Sequence, residues 1–377
     1  METILTNARL ILDDAVVLGT LAVRDGHIAA VEDGLSRHAA AQDCDGDFLA
    51  PGIIDLHTDA LEGHFVPRPK VFWPDARAAA LAHDGQMVAG GVTTVFDAIC
   101  AGGFDQAKAE RRDLFQVMLD AVEAGAGLFR ADHRIHLRCE MTDPDLLDLV
   151  EPALGRRALA LASLMDHTPG ARQWRNVGVL RNFLLGIGKE AAEAEREITE
   201  RTARGRANVA RNFAPLAQML GGAGIIRASH DDTTREHVAI ARDAGCTVSE
   251  FPTTREAAEA ARQAGLATIG GAPNVVRGGS HSGGVAMGEL AAAGLLDALA
   301  SDYVPASLLQ AATRLHLADG MPLPRAFALV TRNPAEMAGL ADRGRLAQGL
   351  RADLVRFRIV DGTPVVRQVL VEGERVF

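Results

Sequence analysis

The sequence predicts an α/β fold: a (β/α)8 barrel of the TIM type, with a small β-rich domain built from both termini. Three observations predict it. The middle of the chain alternates short apolar segments with helical ones, which marks parallel βαβ units. Both ends read as hairpin-forming strands. Polar residues recur at the carboxyl ends of the apolar segments, the ends that converge on one mouth in a barrel. A chain of 377 residues with 48% hydrophobic content has the material for a barrel and a modest accessory domain.

The terminal elements come first. ILTNARLIL, AVVLGTLAVRDG and HIAAVEDG alternate or run apolar and break at Asp-Gly pairs, as hairpins do. ADLVRFRIV, a DGTP turn and VVRQVLVEGERVF repeat the pattern at the other end. Residues 1–50 with 345–377 are therefore assigned to the accessory domain, and 51–344 to the barrel. Candidate barrel strands are 50–57, 92–99, 133–140, 158–167, 224–230, 247–251, 266–271 and 297–302. Helices such as 114–125 and 254–265 fall between them and end at glycines suited to a C-cap. No G-x-G-x-x-G follows an early strand, which argues against a dinucleotide-binding sheet. The charged stretch 186–212 reads as an exposed helix pair between strands four and five, either a solvated insertion or a lid. Asp84 reads as the N-cap of a helix DGQMVAGG.

A net charge of −10 argues against binding nucleic acid or an anionic membrane surface. It leaves room for a small anionic substrate held by a local basic cluster. The start, METILTNARLILDD, lacks the pattern of a secretory signal. Cys44, Cys100, Cys139 and Cys246 are far apart without CxxC pairing, which suits free thiols in the cytoplasm. A homo-oligomer is compatible with all of this.

Five strand ends deliver an imidazole or carboxylate. IIDLHTD brings Asp55, His57 and Asp59 to one side by the two-residue period, and RIHLRCE does the same for Arg134, His136, Arg138 and Glu140. SLMDH ends in His167, IIRASH in His230 and DALASD in Asp302. Any one of these would pass as a cap or a satisfied polar group; five together point to a metal site. Imidazole and carboxylate suit zinc, manganese or iron, and the lack of cysteine argues against a closed structural zinc site.

APGIIDLHTD, SHDD, the Ser-Asp pair at 301–302, TRNPA and GRLAQGLRADLV resemble the amidohydrolase superfamily. HTDALEGHFVPRPKVFWP, HRIHLRCE, SLMDHTPGARQ, EFPTTREAAEAAR, GAPNVVRGGSHSG and LASDYVPASLL narrow the resemblance. They are similar to the branch that hydrolyses α-D-ribose 1-methylphosphonate 5-triphosphate in phosphonate catabolism, over nearly the whole chain. The resemblance implies a metal-dependent phosphoanhydride hydrolase with one or two divalent ions, zinc foremost. It implies His57, Asp59, Glu140, His167, His230 and Asp302 as ligands, with Asp59 where the superfamily usually has histidine. Glu140 occupies the place of the bridging carboxylate, and Asp302 that of the residue handling the water proton. By the strand count, His167 and His230 end strands four and five, where the family has five and six. A triphosphate needs cations, and Arg68, Lys70, Arg138, Arg172 and Arg277 follow or end barrel strands, with Ser280 and His281 in a Gly-rich loop. The alternatives are hydrolysis of a cyclic amide or an aminated ring, and a non-catalytic scaffold.

Overall fold

In the computed structural model, residues 2–103, 109–280 and 283–377 are described, except for the side chains of 109–111 and 173. The chain starts with β1 (Glu2–Ile11), β2 (Val16–Arg24), β3 (His27–Asp33), β4 (Gln42–Asp43) and β5 (Phe48–Pro51). The β2–β3 loop is Asp25-Gly26, both at positive φ (49° and 81°). That is the geometry of a two-residue turn whose twist matches its strands, and it explains the Asp-Gly signal.

The barrel strands follow: β6 (Ile53–Thr58), β7 (Val92–Ala101), β8 (Asp132–Glu140), β9 (Leu159–Met165), β10 (Ile226–His230), β11 (Val248–Glu250), β12 (Ala267–Gly271) and β13 (Ala298–Ala300). They pair in sequence order and all in parallel. Then β14 (Leu354–Val360), β15 (Thr363–Val371) and β16 (Glu374–Arg375) return to the first sheet, whose order is β16-β15-β14-β5-β1-β2-β3 with β4 against β1. Both ends of the chain thus meet in one sheet, joined where β14 runs antiparallel to β5.

Each expected barrel strand is present, with one split. The segment 50–57 crosses from the first sheet to the barrel at Gly52. A Cβ there would lie 2.1 Å from Thr93 Oγ1, so only glycine lets the chain pass. His167 lies two residues beyond β9, the fourth barrel strand, and His230 ends the fifth.

Ile54, Leu56, Phe96, Leu161, Val248 and Ile269 fill the barrel interior. Larger apolar clusters bind the sheet to the surrounding helices. The barrel closes between its first and last strands. Asp302 N donates to His57 O at 2.9 Å and Asp59 N to Asp302 O at 2.7 Å. The seam therefore runs through three of the residues singled out from sequence.

Two local expectations are corrected. Asp84 does not cap a helix: the helix is Ala76–Ala89, capped by Asp75, whose side chain accepts from Ala78 N. Asp84 is buried within it and accepts from the backbones of Arg130 and Ala131, both at 2.9 Å. Most of the stretch 186–212 lies in one helix, Ala191–Gly222, rather than a pair, with the shorter helix Val177–Gly186 before it. The inner face of the long helix is anchored. Asn208 donates to the Thr142 carbonyl (2.8 Å) and Asn212 to those of Met141 (3.0 Å) and Asp143 (2.8 Å). Gly205 packs so closely on Thr168 that a Cβ would sit 2.5 Å from its Oγ1. This helix supports the loops after Glu140 and His167. Among the described residues, no helix is long and apolar enough to cross a membrane.

Candidate metal centre

The mouth is a cavity of about 260 Å³ lined by residues from several strand ends, His57, Asp59, Arg138, His167, His230 and Asp302 among them. Ile54 and Leu56 point into the interior, so strict alternation would turn His57 away. The β6–β7 register shifts between Asp55 and Thr58, and that break lets His57 face the mouth. On β8 the alternation holds. Ile135, Leu137 and Cys139 join the outer apolar cluster, while His136, Arg138 and Glu140 take the opposite side.

Two open groups of donors result. In one, His57, Asp59 and Asp302 each offer an atom within 4.8 Å of the others. His57 Nε2 is 3.3 Å from Asp59 Oδ1 and, though buried, has no hydrogen-bond partner. In the other, His167, His230 and Asp231 converge, with Asp231 Oδ2 3.7 Å from His167 Nε2 and 3.6 Å from His230 Nε2. The gaps of 3.6 and 3.7 Å are too long for hydrogen bonds. They match the roughly 3.4 Å between ligands in a tetrahedron about an ion with bonds near 2.1 Å. An unpaired, buried imidazole nitrogen among carboxylates fits a divalent cation well.

The tautomers agree. Glu250, fully buried at the end of β11, accepts from His57 Nδ1 (2.8 Å) and His230 Nδ1 (2.7 Å), so both rings present Nε2 to the cavity. Glu140 accepts from His167 Nδ1 at 2.5 Å and from the Thr142 backbone and hydroxyl. In this arrangement Glu140 orients His167 and does not join either donor group. Burial presses the His57 pKa down, but Glu250 and Asp59 outweigh it and lift it to about 10. Burial and the charge of Asp59 raise the Asp302 pKa from its ordinary value.

The expected cations divide. Arg138 lines the cavity with its NH1 on Asp59 Oδ1 (2.5 Å). Arg277 and Ser280 line it too. Arg172 is buried, its NH1 bound to the His230 carbonyl (2.8 Å) and Asp232 Oδ1 (2.6 Å), and it does not line the cavity. It acts as a clamp beneath His230 rather than a phosphate ligand. Arg68 and Lys70 are exposed on the loop after the helix Ala60–Phe65, outside the lining. His281 lies outside the described residues.

Sequence reading missed Asp231 and Glu250. Asp231 carried a sequence signal, since it follows His230 in the SHDD motif; in the structure its φ of 55°, uncommon for a residue with a Cβ, is shared by Asp302 (54°) and Phe251 (52°) at other strand ends. Glu250 carried the same strand-end mark, at the end of the segment 247–251, but nothing local showed that it would pair with two histidines.

A parallel eight-stranded barrel with metal-competent groups at its carboxyl mouth defines a class, and comparison with known proteins gives the lineage. The amidohydrolase family matches residues 214–377. The chain is 44% identical, over 99% of its length and 100% of the other protein, to the alpha-D-ribose 1-methylphosphonate 5-triphosphate diphosphatase of Escherichia coli (strain K12). It therefore belongs to the amidohydrolase superfamily, in the branch of that diphosphatase. An L-hydantoinase from Paenarthrobacter aurescens is 29% identical over 26% of this chain and 20% of its own. Among solved structures, a 5-methylcytosine deaminase from Klebsiella pneumoniae superposes with a TM-score of 0.66 at 16% identity, covering 100% of this chain and 97% of that one. An enamidase superposes at 0.62 with 16% identity, covering 100% and 96%. These two show the fold alone.

Proposed function

We propose that this chain hydrolyses α-D-ribose 1-methylphosphonate 5-triphosphate to the 5-phosphate and pyrophosphate, in a cytoplasmic setting that keeps its four cysteines reduced. The observation that carries the substrate is the full-length similarity to the E. coli diphosphatase. His57, Asp59 and Asp302 would hold one divalent ion, and His167, His230 and Asp231 a second. Zinc is the first choice for this imidazole–carboxylate set. A cation there supplies Lewis acidity, drawing the pKa of water toward neutrality and offsetting phosphate charge.

The chain's own residues supply the rest. Asp302, with its raised pKa, accepts the proton of the attacking water. The water oxygen forms a bond to the α-phosphorus, the bond to the bridging oxygen breaks, and pyrophosphate leaves with that electron pair. Arg138 fixes Asp59 and adds positive charge beside it. Arg277 and Ser280 face the departing phosphates, while Arg68 and Lys70, exposed outside the lining, would add positive charge only along the substrate's approach. Phosphorus NMR of the triphosphorylated sugar with enzyme is the test. Pyrophosphate and the 5-phosphate are expected; orthophosphate alone, or no turnover beside activity on a cyclic amide, overturns the reading.

A further inference from the structure

We propose that Glu250 is a positioning residue that yokes the two donor groups, so that their ions load together. This rests on the two-ion reading above. Glu250 Oε1 holds His57, from one group, and Oε2 holds His230, from the other. The two rings stand 6.1 Å apart, inclined by 25°, each tied through Nδ1 to the same carboxylate. Ser163 donates to Oε2 at 2.7 Å and fixes the carboxylate in turn.

The consequence is mechanical. Glu250 and Ser163 are fully buried, so neither ring can swing off its oxygen without stranding a buried charge. The ring that an ion captures in one group sets the plane of the carboxylate, and the carboxylate sets the ring in the other. The first ion thus bears the ordering cost for both. A carboxamide cannot do this. Its single oxygen accepts from one imidazole, while its NH2 opposes the Nδ1–H of the other.

The test is native mass spectrometry of the full-length, metal-stripped protein titrated with zinc alone. The wild type should pass from the apo form to the two-ion form with little one-ion species. E250Q should accumulate the one-ion species, its second ion bound 10–100-fold more weakly, the range for lost orienting partners of metal ligands. Stepwise filling of the wild type, or cooperative filling of E250Q, overturns the yoke and leaves the proposed function standing. A wild type that takes fewer than two ions overturns the two-ion reading and the yoke with it. Circular dichroism checks that E250Q folds. If it does not, S163A carries the test: it removes the hydroxyl that donates to Oε2, together with that hydroxyl's bond to His136 Nε2, and leaves the carboxylate itself in place; more one-ion species than in the wild type is expected.

Discussion

Among the described residues, histidine and aspartate gather both in the barrel wall and at its mouth, and the two places differ in spacing rather than composition. In the barrel wall, His83 Nε2 is 2.7 Å from Asp97 Oδ1 and His133 Nδ1 2.8 Å from Asp97 Oδ2, with Asp84 beyond His133 and Arg130 on Asp84. At the mouth the gaps between the donors that face the cavity are 3.3 to 3.7 Å. Both oxygens of Asp97 are closed by hydrogen bonds, although His83 Nδ1 and His133 Nε2 have no partner there; the mouth donors face one another across open gaps. Tight donor–acceptor pairs neutralise their own charges, while donors held apart by backbone and by outer carboxylates need a cation between them. Residue type alone would rank the two as equal candidates.

The comparison can be broken most sharply at Asp302. D302N should lower turnover by about 10²–10⁴-fold, the usual contribution of a general base, when compared with the wild type at equal metal content by elemental analysis. Full activity in D302N refutes its role. The mirror experiment is D97N in the wall. Breaking a buried ion pair costs about 3–5 kcal/mol, so urea denaturation should find a large loss of stability while the metal content per folded chain stays at the wild-type value. A loss of bound metal would show that the clusters are not distinct in kind.

A smaller effect is expected at the long helix. In G205A the new methyl would press on Thr168, next to His167, and overpacking of this kind costs about 1–3 kcal/mol. A fall in both melting temperature and kcat is expected; an unaltered kcat would mean that the helix does not steady His167.

The smallest effect is in pH. Burial opposes charge on His133, but Asp97 and Asp84 win and raise its pKa from 6.5 to about 9. Asp97 is pushed up by burial yet drawn down from 3.8 to about 2 by His133 and His83. The histidine contribution is complete below 6.5 and lost as pH rises through 9; the aspartate contribution is complete above 3.8 and lost as pH falls through 2. Unfolding titrations should therefore find the Asp97–His133 pair's contribution at its fullest between about pH 4 and 6.5, while His83, held below its ordinary value by burial, adds stability above 6.5 that fades as pH falls. H133Q should flatten the alkaline decline, and an unchanged profile would remove His133 from the account.

Much of the architecture was legible along the chain because its signals are local. Apolar runs, Asp-Gly turns such as Asp25-Gly26 and the alternation Ile135–Leu137–Cys139 depend on neighbours a few residues away. Strand-end polar residues announced the mouth for the same reason: in a parallel barrel, every strand's carboxyl end arrives at one place. Tertiary structure alone decided the rest. Glu250 reaches His57 across 193 residues, Arg172 turns beneath His230 instead of toward substrate, and a register break aims His57 inward. Those outcomes depend on ångström-scale distances between strands remote in sequence. Residue identity can say which groups could bind a cation, but only packing determines which are already satisfied by one another.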